Sequence, residues 1–265
     1  MKYMIGSDPE FFLYKDGSPV ASQGIIEGSK FKPFVLRHGS AVHRDNVMGE
    51  LNPRQADTED EFVYNINKAV EDVQELLSPF EVDLAWEPFV EMPEDQLLHW
   101  EAMVFGCDPD IDCWGIDFSP PPNPHHVGNI RSAGGHVHLG WLDLNKEEQL
   151  NVAKMADVYL GLGSLFYDSD NRRRRLYGKA GRFRYKPYGV EYRVLSNRWM
   201  ADENLMRWVF RSAVKAIENM DSAKGLTEKD GQRIHMAINE CNLEIAEHYI
   251  TMFEGEIPEC QIHMS

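Results

Sequence analysis

The chain has 265 residues, 43% of them hydrophobic, with a formal net charge of −16 and a pI near 5.0. The apolar fraction excludes a disordered chain, and the acidity argues against a protein that holds nucleic acid on a basic surface. There is no apolar run of the ~18 residues a membrane span needs, no signal peptide is evident, and the four cysteines contain no CxxC pair, so a cytoplasmic protein with free thiols and no membrane or nucleic-acid partner is expected.

In chain order, residues 2–14 read as a strand ending in Phe11, Phe12 and Leu13, residues 15–18 as a turn, and residues 19–21 as the return arm of a hairpin. Residues 24–37 are less regular, with short strands. Residues 40–53 are extended and carry His43, Asp45, Glu50 and Asn52. Residues 58–77 form a helix, because Phe62, Ile66, Ala69, Val73 and Leu76 recur at helical spacing. Thr58 and Glu61 supply a capping box, and the apolar stripe covers the back of a sheet.

Residues 80–92 read as one further strand, on which Glu87 is either another site carboxylate or an exposed edge residue. Residues 105–127 contain Trp114 and the run Pro120, Pro121 and Pro122, which excludes a helix or central strand and predicts a long loop. The spacing of Cys107 and Cys113 against His125 and His126 fits no zinc module. Residues 145–167, 202–220 and 231–252 have helical periodicity, and residues 189–195 form a strand. With no repeat or linker, the 265 residues make one domain. Strands that do not alternate with helices predict an α+β fold, a mainly antiparallel sheet with helices on one face.

The chemistry centres on Arg131-Ser-Ala-Gly-Gly-His-Val-His-Leu-Gly140. Side chains two apart on a strand share a face, so His136 and His138 point one way while Val137 and Leu139 enter the apolar side. Three other segments repeat this pattern: Asp8 and Glu10 around Pro9, Glu50 and Asn52 around Leu51, and Glu191 and Arg193 around Tyr192. A face lined with buried charges is costly unless they are paired or bind metal. Neutral imidazole is a common ligand for such ions. The positive charge is concentrated in Arg172 to Arg175, Lys179, Arg182, Arg184 and Lys186, interleaved with Leu176, Tyr177, Phe183 and Tyr185. Guanidinium forks suit phosphate or carboxylate, and the segment reads as an ordered loop beside the site.

The order of Asp-Pro-Glu-Phe-Phe, Glu-Leu-Asn-Pro, Gly-Gly-His-Val-His and Val-Glu-Tyr-Arg, with an arginine-rich stretch before the last, resembles the carboxylate–amine ligases of the glutamine synthetase superfamily. More closely it resembles the phage amidoligase type 2 group of phiEco32-like phages, over roughly residues 3–200. The resemblance implies a curved antiparallel sheet whose concave face binds ATP with Mg²⁺ or Mn²⁺. It implies Glu10 and Glu50 as ligands of a metal near the acceptor, and Asp8, His136 and Glu191 as ligands of a metal bridging the ATP phosphates. His138, Arg184, Lys186 and Arg193 would contact the nucleotide, and Arg173, Arg182 and Arg193 would act on the transferring phosphoryl group.

Two departures stand out. Asp8 replaces a glutamate, and only Glu50 is clear where two glutamates are usual, with Asp45 as a second candidate. The implied activity is ATP-dependent amide formation from a small-molecule or peptide carboxylate and an amine, with an oligomer allowed.

Two other readings compete. A metal hydrolase would place its His-x-His near the first barrel strand, whereas here it begins at residue 136. A non-catalytic phage host-interaction protein would have no use for the acid, imidazole and arginine set.

Overall fold

Alternation along the first strand decides the architecture. Ile5, Phe11 and Leu13 are essentially inaccessible and pack into the main core, while Asp8 and Glu10 lie at the intervening positions. In the computed structural model, residues 3–103, 110–118, 128–140 and 143–259 are described.

β1 (Met4–Lys15) is the central strand. Its first half pairs antiparallel with β11 (Gly135–Gly140), and Glu10 and Phe11 pair with β6 (Met48–Asn52). Its last residues pair with β2 (Ser18–Val20) and β7 (Asp83–Ala85). Beyond β6 lie β5 (Ala41–Asp45), β4 (Lys32–Val35) and β3 (Gly28–Ser29). Beyond β11 lie β13 (Gly189–Tyr192), β12 (Arg182–Lys186) and β9 (Ile111–Asp112). The expected α+β arrangement is therefore found: one 11-stranded sheet with antiparallel pairing, and helices packed on its apolar face.

That face carries Val42, Leu51, Val137, Leu139, Phe183, Val190 and Tyr192. Against it pack Phe62, Ile66 and Ala69 of the Glu59–Leu77 helix, Val152 and Ala153 of the Lys146–Ala156 helix, and Leu205 and Val209 of the Glu203–Glu218 helix. Each fully buried aliphatic side chain contributes roughly 1.5–3 kcal/mol, which fixes the register of the strands and hence the face on which the polar residues emerge. A second, smaller core of Phe12, Val47, Met48, Val90, Met92, Ala102 and Ala133 sits around a two-stranded sheet of β8 (Phe89–Glu91) and β10 (Ile130–Ser132). Phe12 shares the alternating positions of Asp8 and Glu10, so this core closes one end of the polar face.

Several elements depart from the sequence expectation. Residues 80–92 make two strands, β7 and β8, because Pro88 interrupts them and its carbonyl accepts from Ala133 N–H at 2.9 Å. Glu87 is exposed and accepts from Tyr14 Oη at 3.0 Å, so it is no part of the acid cluster. Thr58 caps its helix through Glu61 N–H at 3.3 Å, half of the expected capping box. The helix from residue 145 is α-helical over Lys146–Ala156, then widens into a π turn over Asp157–Gly161 and tightens over Gly163–Phe166. The last helix is two, Glu228–Glu240 and Leu243–Met252, broken where Cys241 takes the left-handed conformation (φ 56°) and Asn242 caps the second.

The arginine segment is not a loop. It is a short helix, Arg172–Leu176, followed by β12. Of the long loop, residues 110–118 include β9, whereas Cys107, Pro120, Pro121, Pro122, His125 and His126 lie outside the described residues. Among the described residues no helix is long and apolar enough to cross a membrane.

Candidate active site

The strand registers bring the predicted polar residues onto one face. Asp8 is paired with His136 across β1 and β11, Glu10 with Glu50 across β1 and β6, and His138 with Glu191 across β11 and β13. Glu191 in turn faces Arg184 of β12, and His43 of β5 faces Glu50. Two groups of potential ligands result. In the first, atoms of Asp8, His136 and Glu191 all lie within 4.8 Å of one another; in the second, atoms of Glu10, Asp45 and Glu50 do so. All five residues expected to hold metal are thus brought together, and Asp45 joins them. Asp45 reaches the group from β5, the strand beyond the one carrying Glu50, so the second acid comes from a neighbouring strand.

Glycines let the backbone approach. A Cβ on Gly134 would meet His136 Nε2 at 2.4 Å, and one on Gly135 would meet the Ser196 carbonyl at 2.4 Å. Gly134 also fixes Glu10: its N–H donates to Glu10 Oε2 at 2.6 Å, and its carbonyl accepts from Glu10 N–H at 2.9 Å. Asn197 Nδ2 donates to the Glu10 carbonyl at 2.8 Å, and Trp199 Nε1 to that of Gly135 at 3.0 Å.

The electrostatics of the two groups differ. Burial and the neighbouring Asp45 carboxylate push Glu10 up to about 8. Burial and the charges of Asp8, Asp45 and Glu10 raise Glu50 well above the usual carboxylate range, and burial raises Asp45. Three acids crowded in low dielectric favour protonation unless a cation joins them. Asp8 is the opposite case: burial would raise it, but His138 and His136 together hold it well below its ordinary value. Burial and Arg193 keep His136 neutral, as a ligand requires. Burial opposes charging of His138 as well, yet Asp8 and Glu191 raise it.

The cations gather on the Glu191 side. Lys186 Nζ lies 2.5 Å and Arg184 Nη1 3.2 Å from Glu191, and Arg193 Nη1 contacts the same carboxylate. Arg182 pairs with Asp110 at 3.4 Å and Asp117 at 3.2 Å, tying the 110–118 segment to the rim. Arg173 departs from its expected place. It is fully buried, and its guanidinium donates to the carbonyls of Ala133, Val194 and Leu195 at 3.0, 2.9 and 2.6 Å. It braces the backbone on either side of the site; an arginine committed to three carbonyls is a support, not a phosphate contact.

Two aromatic residues join the site without a role expected from sequence: Tyr177, noted there only as interleaved with the arginines, and Tyr188. Tyr177 Oη lies 3.3 Å from His136 Nε2, and its ring faces the Arg193 guanidinium at 5.3 Å. Tyr188, in the β12–β13 turn, stacks on His138 with ring centroids 5.7 Å apart. Isolated aromatics carry no periodic signal that separates them from core residues.

The donor sets fit hard divalent cations. One group is all carboxylate and the other two carboxylates and an imidazole, the ligands of Mg²⁺ and Mn²⁺. Asp8 Oδ1 is buried without a hydrogen-bond partner, and so is Nε2 of His43 beside the second group.

Residues 128–254 match the family model described as phage phiEco32-like COOH.NH2 ligase-type 2. Over those residues the chain is similar to this family of carboxylate–amine ligases. The matched part carries His136, His138, Arg184, Lys186, Glu191 and Arg193, whereas Asp8, Glu10, Asp45 and Glu50 precede it.

Three solved structures are similar at low identity. Apo GmaS without ligand is 13% identical, with 94% of this chain and 65% of that one covered and a TM-score of 0.47. A GmaS/ADP complex is 11% identical, covering 96% and 68%, with a TM-score of 0.39. A novel glutamine synthase homolog is 11% identical, covering 95% and 70%, with a TM-score of 0.38. The chain thus spans 65% of the length of the first of these. No curated protein matches it.

Proposed function

We propose that the protein is an ATP- and divalent-metal-dependent ligase that joins a carboxylate to an amine through an acyl phosphate. The observation that carries this reading is the pairing of two ligand groups on one sheet face, Asp8/His136/Glu191 and Glu10/Asp45/Glu50, with Arg184, Lys186 and Arg193 against the first.

In this reading Asp8, His136 and Glu191 hold one cation beside the ATP phosphates, and Glu10, Asp45 and Glu50 hold another nearer the carboxylate substrate. Cations held there would supply charge neutralisation for the transferring phosphoryl group and the carboxylate it meets. Arg184, Lys186 and Arg193 move from Glu191 to the γ-phosphate, donors aimed at charge that develops during transfer. Tyr177 holds the neutral His136 imidazole through Nε2, so Nδ1, 3.1 Å from Asp8 Oδ1 and 3.5 Å from Arg193 Nη1, is the nitrogen that would ligate. His138, whose protonated form Asp8 favours against burial, stacks on Tyr188 and lies toward the nucleotide. The amine then attacks the acyl carbon, and phosphate leaves with the electron pair of the broken C–O bond.

Hydroxylamine, a small general nucleophile, tests this. Incubation with Mg²⁺, ATP and candidate carboxylates should give hydroxamate, ADP and phosphate in equal amounts. Asp8→Asn and Glu10→Gln should abolish all three products. Product release that needs no ATP would instead indicate a hydrolase.

A further inference from the structure

Outside the acid and imidazole face lies a cleft of about 310 Å³, formed by β8, the segment after Tyr167, and Arg198. Its charged groups are unevenly committed. Arg172 pairs with Asp170 at 2.5 Å and lies 4.2 Å over the Phe89 ring. Arg198 has no side-chain hydrogen bond or ion pair among the described residues, and its Nε is buried without a partner. In the same cleft Asp168 is 3% exposed, its Oδ2 also lacks a hydrogen bond, and its ion-pair partner is Arg174 at 4.0 Å. Such groups cost stability unless something meets them. One cleft therefore holds an uncommitted guanidinium and an under-satisfied carboxylate.

We propose that this cleft binds a free α-amino acid, its carboxylate on the Arg198 fork and its ammonium on Asp168. The ligand class follows from charge. Phosphate or a dicarboxylate would meet Asp168, Asp170 and Glu87, and a polyamine would meet Arg198 and Arg172. A zwitterion satisfies both signs at once, and a planar guanidinium matches a carboxylate with two parallel hydrogen bonds. The volume is at the small end of ligand sites and suits one residue.

The cleft is also linked to the acid cluster by short connections. Asn197, adjacent to Arg198, donates to the Glu10 carbonyl at 2.8 Å. The carbonyl of Pro88, on the cleft wall, accepts from Ala133, next to the Gly134 that holds Glu10. That the bound amino acid is a substrate rests on the ligase reading above; that it binds does not.

Thermal melting of the full chain with each standard α-amino acid at millimolar concentration, alongside its N-acetyl and carboxamide derivatives, tests the proposal. At least one free amino acid should raise the melting temperature, and its two blocked forms should not. Arg198→Gln should weaken that binding on the order of ten- to hundredfold, the loss of one charged hydrogen-bonded pair, and Asp168→Asn should weaken it too. Arg198→Gln should keep its stabilisation by Mg²⁺ and ATP. Asp8→Asn should lose that stabilisation and keep the amino-acid shift, so failure of the two readings is distinguishable. No response to any free amino acid, an equal response to the blocked forms, or unchanged binding by Arg198→Gln would overturn the proposal.

Discussion

Asp8 Oδ1 and His136 Nδ1 lie 3.1 Å apart, yet the carboxylate oxygen has no aligned hydrogen bond. Neighbouring ligands of an octahedral ion with bonds of ~2.1 Å are separated by ~3.0 Å, so the two atoms already stand at the spacing of a shared cation. Asp8→Asn keeps the shape and removes the charge. The wild type should gain melting temperature with Mn²⁺ in proportion to the logarithm of its concentration above the dissociation constant. The variant should gain little, and an equal gain would place the ion elsewhere.

The crowded acids predict a pH dependence. Glu10 titrates at about 8 in the folded chain against an ordinary 4.5, and Asp45 and Glu50 are raised as well. Glu10 is protonated when folded and ionised when unfolded across that window, and the upward shifts of Asp45 and Glu50 act in the same direction. Proton release therefore accompanies unfolding, and stability falls as pH rises from about 4.5 to about 8. With chelator present, urea midpoints should fall by the equivalent of roughly 1–3 kcal/mol between about pH 6 and pH 8. Mg²⁺ should suppress the fall, because a cation favours the ionised acids. A midpoint that rises over this range without metal would contradict the assignment.

Arg173 and Arg184 should respond differently to mutation. Arg173→Met would remove the guanidinium from the Ala133, Val194 and Leu195 carbonyls, of which Leu195 keeps the Gly135 N–H at 2.9 Å, at a cost of roughly 3–5 kcal/mol. Arg184→Gln touches a partly buried side chain whose partner Glu191 keeps Lys186 and Arg193. It should leave the denaturation midpoint within about 1 kcal/mol of wild type and weaken ATP binding. Chemical denaturation and nucleotide titration of both variants separate support from contact.

Gly134→Ala should act on the site through one ring. Its Cβ would lie 2.4 Å from His136 Nε2, forcing the imidazole off Asp8. Stability should drop by about 1–3 kcal/mol, with Mn²⁺ binding lost more completely than the fold. Retention of full Mn²⁺ affinity would show that His136 is not a ligand.

Much of this site was legible from side-chain alternation. Asp8, Glu10, Glu50, His136 and Glu191 sit two residues from another polar group on segments whose remaining positions are apolar, which dictates the face on which they emerge. What alternation omits is which strands are neighbours. Asp45 and Glu50 share a local hairpin, β5 and β6 joined at Asn46 and Val47, but they reach Glu10 only because β6 pairs with β1, a long-range pairing that no local pattern specifies. The arginines show the same limit. Arg172 to Arg175 lie on a single helical turn, so Arg173 turns inward while Arg172 faces solvent; Arg182, Arg184 and Lys186 obey strand period and stay together. The break at Cys241 was hidden because the apolar repeat runs across it, and only its left-handed backbone divides the helix.

Anomalous diffraction from crystals grown with Mn²⁺ and a non-hydrolysable ATP analogue should show one peak among Asp8, His136 and Glu191 and a second among Glu10, Asp45 and Glu50, with the analogue's phosphates beside Arg184, Lys186 and Arg193. Manganese bound away from these residues, or nucleotide bound with neither ligand group occupied, would contradict the ligase reading.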